Sequence, residues 1–167
     1  VMIGICNGFQ ILTSAGILPG ALTYNESARY IDRWVDLEPV GKSPWTKGLG
    51  IISVPIAHGE GKYMPNEEGG LPQLEEEGGI AFKYTDGPMC EYQNLKSNPN
   101  GSTADIAGVF GYEGRVLGMM PHPERTPEGD AVFLEFFSQA TSTYRGLRTE
   151  TIEVSAFEFN YSPYIHD

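Results

Sequence analysis

Apolar positions near the start of the chain change period within a few residues. Val1, Met2 and Ile3 read as the end of a buried strand, and Phe9, Ile11, Leu12 and Ala15 then fall at helical spacings until Gly16 and Pro19 stop the helix. Further along, residues 50–56, 80–84 and 105–110 are short apolar runs that predict strands, and 115–118 is a strand-like approach to a proline-rich loop. Residues 67–79 are acidic and punctuated by glycine, so Glu75, Glu76 and Glu77 are expected on a solvated helix face or loop. Asn98-Pro99-Asn100-Gly101 has the chemistry of a turn. Residues 129–140 place Phe133, Phe136, Phe137 and Ala140 on one helical face, and 151–159 alternate apolar and polar as a half-buried or edge strand does. The pattern predicts an α/β protein whose middle is built of strands joined by long polar loops, with no internal repeat.

Composition narrows the function classes. With 167 residues and 40% hydrophobic content the chain can bury one sizeable core. Eleven basic against 22 acidic residues give a net charge of -11, and no Lys/Arg cluster is present, which argues against a nucleic-acid surface. No run of about 18 apolar residues suggests a membrane span, and no signal-peptide pattern is seen. Cys6 and Cys90 do not make a disulfide framework, so a reducing compartment is expected, with Cys90 structural or incidental.

Between the first strand and the first helix stands Gly4-Ile5-Cys6-Asn7-Gly8, the form of a nucleophile elbow with cysteine in the attacking position. Such a turn strains the nucleophile's backbone, and small residues two positions either side relieve crowding. At the helix N-terminus, unpaired N–H groups favour thiolate over thiol. By itself the pentapeptide is equally compatible with a small core cysteine. The second element is Met120-Pro121-His122-Pro123-Glu124-Arg125. His122 has the chemistry of a general base toward Cys6, and Glu124 can hold the imidazole in the required tautomer. The plain alternative is a surface histidine beside a solvated carboxylate. A rival enzyme reading pairs His58-Gly59-Glu60 with His122-Pro123-Glu124 as a divalent transition-metal site; otherwise no metal is expected.

These residues resemble a known family. Cys6-Asn7-Gly8-Phe9-Gln10 with His122-Pro123-Glu124-Arg125, supported by Asn25-Glu26-Ser27, Ala57-His58-Gly59-Glu60-Gly61 and Asn98-Pro99-Asn100-Gly101-Ser102, is similar to the glutaminase subunit of phosphoribosylformylglycinamidine synthase, a class I, triad-type glutamine amidotransferase. The likeness covers about residues 1–140, and Ala57-His58-Gly59-Glu60-Gly61 resembles the stand-alone subunit. It implies a three-layer, flavodoxin-like α/β fold. It also implies a reaction: Cys6 attacks the glutamine side-chain amide with His122 as base and Glu124 as its orienter, and ammonia passes to a large synthetase subunit. The Asn7 N–H would be one oxyanion-hole donor, Gln10 would help hold glutamine, and His58 would line the site or pack beneath it. No cofactor is implied in this chain; ATP and magnesium belong to the synthetase, and a small accessory subunit completes the complex. A cytoplasmic location follows from the pathway.

Relatives carry roughly a half-domain before the elbow, with a glycine-rich loop that supplies the second oxyanion donor. This chain starts at the elbow strand, so the fold is expected to be incomplete at its N-terminal side, as a partial sequence or a processed form would be. Loss of one donor typically costs about a hundred- to a thousandfold in rate, so little autonomous turnover is expected. An inactive fragment or docking module of the same complex is the alternative. Residues 1–140 are read as the C-terminal portion of an amidotransferase domain and 141–167 as an extension without assigned role, His166 being a terminal side chain.

Overall fold

The first apolar run and the segment behind it form where their periodicity places them: β1 spans Met2–Ile5 and α1 spans Asn7–Ser14. The structure, a computed structural model, describes residues 1–67 and 70–126. The buried stripe of α1 is Gly8, Phe9, Leu12 and Thr13, while Ile11 is half exposed, so its apolar face is narrower than predicted. Gly16 ends the helix with φ at 70°, and the Ile17 and Leu18 N–H groups both return to the Leu12 carbonyl.

Six further strands and two short helices follow. They are β2 (Ala21–Thr23), β3 (Ile31–Pro39), β4 (Ile52–His58), β5 (Lys62–Met64), α2 (Gly70–Glu76), β6 (Ile80–Thr85), α3 (Pro88–Gln93) and β7 (Ile106–Gly111). The last described strand is β8 (Val116–Met119), and short 3-10 turns occupy Thr103–Asp105 and Pro123–Arg125. The four strands expected at 50–56, 80–84, 105–110 and 115–118 are therefore present with small end shifts. The acidic segment is helical, with Leu74 turned inward. Neither β3 nor α3 has a counterpart among the expected elements. The helix expected at 129–140 and the strand at 151–159 lie outside the described residues.

The main sheet runs β1-β8-β7-β6-β3-β4, and β2 pairs with β5 in a separate ribbon. Among the described residues parallel pairing is confined to β1 and β8, with Met2 opposite Val116 and Ile5 opposite Met119; the other ladders are antiparallel. β4 is the far edge from β1, yet the His122 N–H, just beyond β8, donates to the Pro55 carbonyl at 2.9 Å. The sheet thus curls until β4 returns beside the C-terminal ends of β1 and β8. That curl assembles the site.

Two apolar cores hold this shape. Inside the curl lie Val35, Leu37, Val54, Ile56, Phe82 and Leu117. On the other face Phe9, Leu12 and Leu18 pack against Ile106, Val109 and Val116. Each fully buried aliphatic side chain contributes about 1.5–3 kcal/mol. Gly118 lets α1 sit directly on β8, since a Cβ there would lie 2.2 Å from Phe9 Cδ2. Buried Asp36 ties α3 to the sheet: its carboxylate accepts from the Ser53 hydroxyl at 2.6 Å, the Cys90 N–H at 2.8 Å and the Met89 N–H at 3.3 Å. Burial opposes its charge, and these hydrogen bonds outweigh burial, leaving its pKa lowered. No helix of the described residues is long and apolar enough to cross a membrane.

Candidate functional site

Cys6 sits between β1 and α1 with φ 51° and ψ -105°, a conformation that costs a non-glycine residue about 1–3 kcal/mol and persists only where its surroundings enforce it. Here its N–H donates to the Met119 carbonyl at 2.8 Å and its carbonyl accepts from the Gln10 N–H at 3.1 Å, so strand and helix each hold one side. The Sγ approaches the Ala57 carbonyl at 3.9 Å, bringing the returning β4 into the site.

The two flanking glycines are not equivalent. A Cβ on Gly4 would lie 2.5 Å from Leu12 Cδ1 and 2.7 Å from the Gly8 backbone, whereas a Cβ on Gly8 would meet nothing within 4 Å. The expectation that both relieve crowding is corrected in this respect: the close approach is Gly4 against the helix backbone. Gly4→Ala is expected to destabilise the fold by about 2–4 kcal/mol, as overpacking against unyielding backbone does, while Gly8→Ala leaves thermal stability nearly unchanged. Parallel melting curves check this, and equal shifts would contradict it.

His122 follows β8 through Met120 and Pro121. Its N–H is fixed to Pro55, its ring is buried, and Nδ1 lies 2.6 Å from Glu124 Oε1. The Glu124 side chain is 38% exposed and also stands 3.7 Å from Arg125 Nε, so the carboxylate reaches solvent on its outer side. Burial works against the imidazolium, but Cys6 and Glu124 together outweigh it and raise the His122 pKa to about 9. Cys6 is the first of the two groups that raise it, and His122 Nε2 is buried without a partner of full hydrogen-bonding geometry. Such an arrangement places a general base beside the thiol.

The turn after β4 completes the cluster. Gln10, one turn into α1, donates from Nε2 to the Glu60 carbonyl at 2.7 Å, leaving its Oε1 free to accept. His58 is buried, with Nδ1 3.0 Å from Asn25 Oδ1 and Nε2 unpartnered. Burial first, then the nearby His122, lowers its pKa to about 4, so at neutral pH it is an uncharged imidazole. Asn7 is exposed at the first position of α1, where its N–H has no intrahelical acceptor. All six residues singled out from the sequence therefore lie on the elbow and the first turn of α1, at the end of β4 or in the loop after β8.

Two residues without an assigned role in the sequence support the cluster. Asn25 and Asn100 are buried, and Asn100 Nδ2 donates to the Gly61 carbonyl at 2.7 Å. A turn rich in asparagine signals solvent exposure, so only the fold shows that Asn100 points inward. Cys90 stands apart on α3, buried, its thiol directed at the Thr85 carbonyl at 3.7 Å and its pKa raised first by burial. Among the described residues no three His, Cys, Asp or Glu side chains converge as metal ligands, and Glu124 is committed to His122. That removes the geometric basis for the rival metal reading.

A strained cysteine on a strand-to-helix turn, near a buried histidine with its carboxylate, is an arrangement suited to a thiol nucleophile. Residues 1–137 match the sequence profile of the CobB/CobQ-like glutamine amidotransferase domain, and the chain belongs to that family. A curated relative, phosphoribosylformylglycinamidine synthase subunit PurQ of Aquifex aeolicus (strain VF5), is 48% identical over 134 residues, 76% of this chain and 56% of the relative. The solved structure of PurLQS from Thermotoga maritima superposes with a TM-score of 0.64 at 32% identity, covering 84% of this chain and 60% of that one. The fold is thus that of the class I glutamine amidotransferases, as expected. The chain spans little more than half the length of these relatives.

Proposed function

We propose that this chain carries the nucleophile half of a glutaminase that releases ammonia for the synthesis of phosphoribosylformylglycinamidine in purine biosynthesis. The observation that carries the proposal is the geometry at Cys6: a backbone held at positive φ beside a buried His122 that is hydrogen-bonded to Glu124. The 48% identity to a phosphoribosylformylglycinamidine synthase subunit supports the particular pathway.

The chemistry follows from the residues. Cys6 Sγ gives its proton to His122 Nε2 and attacks the glutamine side-chain carbonyl carbon, and the tetrahedral oxyanion takes a hydrogen bond from the Asn7 N–H. The His122 imidazolium, steadied by Glu124 through Nδ1, returns the proton to the amide nitrogen, which leaves as ammonia. Water, deprotonated by His122, then hydrolyses the glutamyl thioester, releasing glutamate and restoring the thiol. Gln10 and His58 hold the substrate from α1 and the end of β4. Ammonia passes to a large synthetase subunit that consumes ATP with magnesium, with a small accessory subunit in the same cytoplasmic assembly, while this chain needs no cofactor for its own step.

Glutamine supplied to the full-length protein assembled with its synthetase tests the reading. Equimolar glutamate and phosphoribosylformylglycinamidine are expected. A folded assembly that makes no glutamate but still uses free ammonia would overturn it.

A further inference from the structure

We infer that Asn25 is a positioning residue that fixes His58 in its Nδ1–H tautomer, leaving Nε2 as a buried hydrogen-bond acceptor for an N–H group of the substrate. The inference rests on the proposed glutaminase reading for the identity of that substrate, and on hydrogen-bond geometry for the tautomer.

Every polar atom of the Asn25 amide is engaged. Nδ2 donates to the Arg29 carbonyl and to the His58 carbonyl, each at 2.8 Å, while Oδ1 lies 3.0 Å from the Gly61 N–H and 3.0 Å from His58 Nδ1. Carbonyl oxygens can only accept and a backbone N–H can only donate, so the orientation of the amide is determined by three partners other than the imidazole. With Oδ1 facing it, His58 Nδ1 must carry the proton. Nε2 then holds a bare lone pair.

The ring cannot escape this assignment by turning away. A Cβ on Gly61 would lie 2.2 Å from His58 Cε1 and 2.4 Å from Nδ1, so the imidazole lies flush against the Gly61 backbone, which is itself bonded to Asn25. The main chain adds a clamp, since the Asn25 N–H donates to the Gly59 carbonyl at 2.9 Å. Residues 58–61 and Asn25 thus form one rigid unit.

His58 Nε2 and His122 Nε2 are the buried side-chain nitrogen or oxygen atoms without a partner among the described residues. Unsatisfied buried polar atoms are rare, and where one occurs in a preorganised site it marks the place of an absent partner. The His122 atom is accounted for by the thiol proton. The His58 atom calls for a donor, which glutamine offers in its carboxamide NH2 or its α-ammonium group. The low pKa of His58 agrees, because a ring that stays neutral keeps the lone pair available.

The test is a two-bond proton–nitrogen correlation spectrum of the full-length 15N-labelled protein, to which the 167 residues of this sequence contribute three histidines. Wild type is expected to show His58 protonated at Nδ1, with the Nε2 signal moving when glutamine is added to the Cys6→Ala background. Glutamate as the comparison ligand tells the two donors apart: a shift with glutamine alone assigns the carboxamide, and a shift with both assigns the α-ammonium. Asn25→Leu, near-isosteric and unable to hydrogen-bond, is expected to lose the Nδ1–H tautomer and to raise the KM for glutamine about tenfold, with kcat changed far less. Asn25→Asp keeps an oxygen facing Nδ1 but loses the Nδ2–H bonds to the Arg29 and His58 carbonyls, and is expected to show the Nδ1–H tautomer; the wild-type tautomer alone decides the inference if neither variant folds. A wild-type His58 protonated at Nε2, or an Asn25→Leu protein with unchanged tautomer and KM, would overturn the inference. A protein that shows the Nδ1–H tautomer but does not hydrolyse glutamine would count against the glutaminase reading and leave the Asn25 lock standing.

Discussion

Cys6→Ala is expected to lower glutamine hydrolysis by about a millionfold, to below detection, because removal of the nucleophile in an acyl-transfer site leaves no alternative covalent route. The fold should be almost unaffected. Cys6 is only partly buried, its positive φ is enforced by bonds to Met119 and Gln10 that use backbone atoms alone, and alanine tolerates that conformation no worse than cysteine does. A melting temperature within a few degrees of wild type, together with lost glutaminase activity and retained use of free ammonia by the assembled synthetase, is the full expected result. Residual hydrolysis above about one part in ten thousand would assign the chemistry elsewhere.

The second large effect is at His122. Loss of a positioned general base typically costs about 10²–10⁴-fold, and His122→Ala is expected in the upper part of that range because the same ring also protonates the leaving ammonia. The variant should carry a second signature in its stability. The folded-state pKa of His122 is about 9 and its ordinary value is 6.5, so the folded protein binds the proton more tightly than the unfolded chain does. The stabilisation tied to that proton is fully present below pH 6.5 and is lost as pH rises through about 9. Wild type should therefore lose melting temperature relative to His122→Ala across that window. His58 does not confuse the result, because its lowered pKa of about 4 makes its contribution change between pH 4 and 6.5, in the opposite sense. A pH-independent difference between the two proteins would contradict a His122 pKa raised by Cys6 and Glu124.

Much of this site was legible in the sequence because its parts are local. The elbow needs glycine, cysteine and a strand-to-helix change of period within a few residues, and the base and its carboxylate are separated by one proline, so each half is a short readable unit. What periodicity cannot carry is the relation between units. β3 escaped notice because Arg33 takes an inward position and Trp34 an exposed one, which breaks the alternation that Val35-Asp36-Leu37-Glu38 keeps, and Asp36, on the opposite face, is buried beneath α3. For the same reason α3 shows no cap of its own: Gly87 precedes it, and the capping carboxylate comes from another strand. The curl that brings Ala57 to Cys6 and Pro55 to His122 is likewise a property of the whole sheet. Asn100 belonged to a turn whose family likeness to an active-site approach weighed no more than plain punctuation, and Asn25 stood only in a stretch that resembles the family. Their role comes from burial against the turn after β4, which only the packed fold supplies.

The contrast between the two cysteines allows the most direct test of the central claim. Cys6 stands on a strained turn facing His122, whereas Cys90 is buried, bonded to Thr85 and shifted toward its unreactive thiol form. Intact-mass measurement after exposing the full-length protein, in its assembly, to a glutamine-mimicking chloroketone should give a single adduct. That adduct should survive in Cys90→Ala and vanish in Cys6→Ala. An adduct that persists in Cys6→Ala, or none at all in a folded assembly, would contradict the assignment of Cys6 as the nucleophile.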